Sequence, residues 1–114
     1  MSGRTIYHMV PRTEWQQQAP ETPYRPASLA GEGFIHCTGE AERLVNVANM
    51  FYSQVRDDFV ILCLDTDAIR AEIRWEEADG HRFPHIYGPL NLDAVSAVVP
   101  FPRDASGTFL DPGL

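Results

Sequence analysis

The chain has 114 residues, 44% of them hydrophobic, and its 16 acidic side chains outweigh nine basic ones to give a formal charge of −7 at pH 7. A chain of this length buries one modest core, whereas two autonomous halves would each be marginal, so residues 1–114 read as a single domain. All nine basic residues are arginine, which excludes Schiff-base and phosphate-loop lysine chemistry, and the acidic balance argues against nucleic acid and anionic lipid as partners.

Thr5 to Val10 has strand propensity and stops before Pro11, and Thr13 with Gln16 resembles a capping box that starts a short helix carrying Trp15. Pro20, Pro23 and Pro26 then make residues 19–32 a shaped loop, because proline removes a backbone donor and clashes with a preceding helical turn. GFIHCT follows as a compact strand. From Glu40 to about Gln54, the positions Leu44, Val47, Ala48, Phe51 and Val55 keep helical spacing, and Glu40 and Glu42 suit the positive N-terminal end.

Phe59 to Leu64 is an unbroken apolar run of the kind found in a strand covered on both faces. Ile73 to Glu76 reads as a brief strand, and Asp79-Gly80 as a turn. FPHIYGPL reads as an extended segment bracketed by Pro84 and Gly88-Pro89. Ala94 to Val99 is the last strand, and Phe109 pins the tail by burial.

The first residues lack a basic region followed by an apolar run, and no segment approaches the roughly 18 apolar residues of a membrane span. A cytoplasmic location is therefore expected, with no membrane association. Cys37 and Cys63 lack zinc or CxxC spacing and suit small core residues in a reducing compartment. Oligomeric state is not legible.

Three histidines carry the chemical interest. His8, His36 and His85 each lie in a strand-like segment, the last two beside Gly33 and Pro84, and are expected to converge on one pocket; His81 sits in a turn and is left aside. Phe34 and Tyr87 are candidate aromatic walls, Arg25 and Ser28 candidate partners of an anionic group, and Thr38 and Asn49 candidate hydrogen-bonding groups. On a strand, Arg74 and Glu76 project to the same side, which allows an ion pair or a carboxylate that stabilises developing positive charge. Three histidines could also hold a transition metal, but no HExxH or closely spaced pair is present, so no metal ligand is assigned.

In combination, IYHMV, YRPASL, GEGFIHCT, VANMFY, RWE and FPHIYGPL resemble the domain of unknown function 952 family over nearly the whole chain. That resemblance implies an α+β fold like that of ADP-ribosyltransferases, with small, highly bent antiparallel sheets around a cleft and flanking helices. It also implies a ribose-binding role for His8 and places GFIHCT where a nicotinamide-packing aromatic residue is usual. His85 stands nearest the position of the superfamily's glutamate, a departure that weakens classical ADP-ribose transfer.

The function that the resemblance implies is a nucleotide-binding protein acting on NAD or an ADP-ribose-containing substrate by nicotinamide–ribose cleavage or group transfer. In that reading His8, His36, His85 and Glu76 are the catalytic candidates, and Arg25, Ser28, Phe34, Thr38, Asn49 and Tyr87 the cofactor-binding ones. No cofactor is firmly implied, and NAD is the one that the resemblance suggests. A noncatalytic small-molecule or protein-binding domain stands as the alternative, and a metal-dependent enzyme as a lesser one, so catalysis itself is left open.

Overall fold

The computed structural model describes residues 4–114. Strand β1 (Thr5–Pro11) leads into the one-turn helix α1 (Arg12–Gln16), and helix α2 (Ala27–Glu32) precedes the short strand β2 (Ile35–His36). A 3-10 turn at Ala41–Arg43 runs into helix α3 (Leu44–Phe51), followed by β3 (Phe59–Asp65), β4 (Glu72–Ala78) and β5 (His81–Tyr87). A second 3-10 turn, Leu92–Ala94, opens β6 (Val95–Phe101).

The strands form two antiparallel sheets in the orders β1-β3-β6 and β2-β5-β4. In the first sheet β3 is central, and Phe59 through Leu64 are all buried, as a strand apolar on both faces requires. Its side chains alternate between two cores. Val60, Leu62 and Leu64 join Ile6 and Val10 of β1 and meet Ile35 and Ile86 of the second sheet. Phe59, Ile61 and Cys63 point the other way, onto Leu44 and Ala48 of α3 and Phe109 of the tail.

The second sheet is covered on one face. Ile35 and Ile86 are fully buried beneath it, whereas β4 carries no buried residue. A backbone bridge ties the first sheet to the segment just after β2, where Tyr7 and Thr38 exchange N–H···O bonds of 2.9 and 2.7 Å.

Several expectations need correction. Each sheet is an open three-stranded ladder, neither strongly bent nor closed, so the ADP-ribosyltransferase-like arrangement of curled sheets around a cleft is not the one adopted. The structural ground for expecting NAD goes with it. Within 19–32, assigned to loop, residues Ala27–Glu32 form α2. Pro26 sits just ahead of the first turn, where its missing N–H costs nothing, and Gly33 ends the helix at φ 89°. No side-chain cap starts α1, which follows Pro11 directly.

Pro84 lies inside β5 rather than bracketing it. The β2 ladder reaches only His85 and Ile86, so at Pro84 the strand has β4 alone beside it and behaves as an edge, where proline is tolerated. Among the described residues no helix is long and apolar enough to cross a membrane.

Candidate functional site

Antiparallel register decides which side chains share the outer face of the second sheet. His36 lies opposite His85, and Arg74 opposite His85 on the other side, so these residues point the same way. The period of two adds Phe34, Phe83, Tyr87, Glu72 and Glu76 to that face. Phe34 is its centre: its ring stacks on His85 at 4.2 Å between centroids and meets His36 at 4.7 Å and Tyr87 at 5.3 Å. The His36 and His85 rings are 5.4 Å apart, edge to face.

Each of these two histidines is held by its own carboxylate. His85 Nδ1–H donates to Glu76 Oε1 at 2.7 Å, and the Tyr87 hydroxyl donates to the same oxygen at 2.5 Å. The Tyr87 hydroxyl first, and His85 second, hold the Glu76 carboxyl below the ordinary glutamate range by stabilising its charged form. His36 Nε2–H donates to Glu32 Oε2 at 2.7 Å, a contact made possible by the αL turn at Gly33 that brings the end of α2 back over β2. His36 Nδ1 and His85 Nε2 are left without a hydrogen-bond partner among the described residues.

Both rings border a cavity of about 540 Å³ between the second sheet and α3. Tyr7, Met9, Val47, Phe51, Tyr52 and Phe83 supply an apolar and aromatic lining, and Glu32, Asp79 and Thr38 join the histidines as its polar groups. The volume lies within the range of small-molecule sites. No lysine or arginine lines it.

His8 belongs elsewhere. It projects from the opposite face of β1, between the two sheets, where its Nδ1–H donates to the His36 carbonyl at 2.6 Å and its Nε2 accepts from the Tyr24 hydroxyl at 2.8 Å. Burial beside neutral partners lowers its pKa from 6.5 to about 4 and keeps the ring uncharged. The expected three-ring convergence thus becomes a two-ring one, with His8 fastening β1 to β2 from behind.

The remaining candidates separate in the same way. Thr38 is buried and lines the cavity, and Tyr87 reaches it through Glu76 and Phe34. Asn49 faces the tail instead: its amide donates to the Phe109 carbonyl at 3.2 Å and its oxygen accepts from the Phe109 N–H at 2.8 Å. Arg25 is exposed just ahead of α2 and Ser28 half-buried within it, and neither lines the cavity. Arg74 pairs with Glu72 at 3.0 Å and lies 4.3 Å over the Tyr87 ring, which leaves Glu76 to His85.

Sequence reasoning passed over Glu32, Tyr24 and Phe83. The four-residue spacing of Glu32 and His36 was visible, but its meaning depended on α2 ending at Gly33. Among the described residues no group of three or more His, Cys, Asp or Glu side chains is arranged to hold a metal.

Fold and site together define a small two-sheet α+β domain with a histidine-walled cavity. Residues 9–98 match the family described as "Protein of unknown function (DUF952)", and the chain belongs to that family. It is similar to protein CC0527 of Caulobacter crescentus, whose X-ray structure superposes with a TM-score of 0.79 at 26% identity, covering 93% of both chains. The solution NMR structure of CC0527 superposes with a TM-score of 0.73 at 27% identity, covering 96% of this chain and 92% of that one. No curated protein matches.

Proposed function

We propose that the domain binds a small planar, uncharged or cationic heteroaromatic molecule in the cavity between Phe34 and α3, without itself transforming it. The observation that carries this reading is the pairing of two carboxylate-held imidazoles, 5.4 Å apart, on one wall of an otherwise apolar and aromatic cavity. A flat ring buries its faces against Phe34, Phe51 and Phe83, and its edge groups meet the unpartnered His36 Nδ1 and His85 Nε2. Glu32 and Asp79 disfavour an anionic ligand, so of a nucleotide only the base fits this reading. Cys37 and Cys63 are both buried free thiols, which suits a cytoplasmic setting.

A proton-transfer enzyme is the second reading. It is favoured by the Tyr87–Glu76–His85 chain, since a carboxylate that fixes one imidazole nitrogen orients the other as an acid or base.

Ligand-observed NMR with adenine, benzimidazole and benzoate tests the binding reading. Adenine or benzimidazole should bind and benzoate should not, and Glu76→Gln should weaken binding about tenfold by loosening His85. Preferential binding of benzoate, or heteroaromatic binding indifferent to Glu76→Gln, would sink it. Chemical conversion of a bound ring by the wild-type protein, abolished in His85→Ala, would move the assignment to the enzyme.

A further inference from the structure

Outside the histidine cavity, the arginines of this chain are not evenly neutralised. Arg12 pairs with Asp58, Arg70 with Asp93 and Arg74 with Glu72, one carboxylate to each guanidinium. Arg4 and Arg43 instead share a single carboxylate: Glu40 Oε2 meets Arg4 at 3.0 Å and Glu40 Oε1 meets Arg43 at 3.1 Å. Arg82 bonds to the Trp75 carbonyl at 3.0 Å and, among the described residues, makes no ion pair, although Glu77 lies opposite it in the β4–β5 register. These three arginines, Glu40, Trp75 and His81 border a second cavity, of about 580 Å³.

The floor of this cavity is built rather than incidental. The Trp75 ring lies so close to Gly39 that a Cβ there would stand 2.7 Å from it, a contact no side chain could accept without displacing the indole. Above the indole, the Arg4 guanidinium sits 4.5 Å from the ring and also donates to the Gly39 carbonyl at 3.1 Å. Arg4 is thereby held in one orientation before any ligand arrives, and that ordering need not be supplied by binding.

We propose that this cavity binds a small phosphate-bearing dianion, with Arg43 and Arg82 as its principal contacts and Arg4 as a fixed supporting charge. Among the residues that line the cavity, which do not include Glu77, three guanidiniums stand against one carboxylate, a local positive charge in a chain whose formal charge is −7, and planar guanidinium donors match phosphate oxygens. The site goes beyond the histidine cavity and is independent of it: the two share the β4–β5 hairpin as a wall but take different residues from it. Their opposite electrostatics predict different ligands.

Amide NMR of the full chain, titrated with inorganic phosphate and with methyl phosphate against sodium chloride at matched ionic strength, provides the test. Saturable shifts centred on residues 39–43 and 80–82 are expected, and they should weaken as salt is raised. Arg43→Gln with Arg82→Gln should lower the affinity at least about tenfold, while Arg70→Gln, at a one-to-one surface pair, should leave it unchanged. Absence of saturable shifts in the wild-type protein overturns the proposal without reference to any variant. Shifts that map elsewhere, or that survive the double substitution, overturn it equally.

Discussion

The two sheets use the same residue type to opposite ends. In the first, His8 lies between apolar layers with both nitrogens bonded to neutral groups, and the ring is kept uncharged. In the second, His85 is nearly as buried but takes a carboxylate partner and opens onto a cavity. What separates them is coverage. A sheet packed on both faces has to satisfy its polar groups internally, whereas a sheet packed on one face can leave an imidazole nitrogen for something else.

The largest expected effect follows from that contrast. Replacing His8 with alanine strands the buried Tyr24 hydroxyl and the His36 carbonyl and leaves a void, so His8→Ala should cost about 4 kcal/mol of stability in urea unfolding. His85→Ala should cost about 1 to 2 kcal/mol, because its partners Glu76 and Tyr87 reach solvent. Equal losses at the two positions would break the comparison.

Acid should separate the sheets by pH window. His8 titrates near 6.5 when unfolded and at about 4 when folded, so the unfolded chain binds the extra proton. The stability associated with its neutral ring is therefore fully present above pH 6.5 and is lost as pH falls towards 4, by about 3 kcal/mol in all. Glu76 has a lowered folded pKa, so its contribution is present above the unfolded glutamate value and fades only in more acid solution. Urea midpoints between pH 7 and 4 should fall for the wild type and stay flatter for His8→Gln; parallel curves would show that His8 is not the titrating group.

A smaller effect belongs to the far side of the first sheet. Asn49 clamps the tail through two hydrogen bonds to Phe109, whose ring is buried against Phe59 and Phe101. Asn49→Ala should cost about 2 kcal/mol and speed hydrogen exchange near Phe109, while leaving adenine or benzimidazole binding intact. A loss of ligand affinity without a loss of stability would return Asn49 to the cavity.

Local chemistry determined a good deal of this protein before any fold was known. The apolar run Phe59–Leu64 specifies a strand covered on both faces because no polar residue interrupts it, and Leu44, Val47, Ala48 and Phe51 specify a helix by period alone. Strand alternation along GFIHCT puts Ile35 and His36 on opposite faces, one buried and one exposed. Family membership was legible from the blocks shared along the chain.

Contacts between elements distant in sequence were decided by the tertiary structure. Periodicity cannot tell which face of β1 is sealed, so His8 and His36 looked equivalent until the Tyr7–Thr38 bridge set the two sheets against each other. The Glu76–His85 pair depends on β4–β5 register, and the grouping of Arg4 with Arg43 and Arg82 joins positions from three parts of the chain. Register and sheet packing are collective outcomes of many weak contacts, and a one-residue slip reverses every side chain, so no single local segment encodes them.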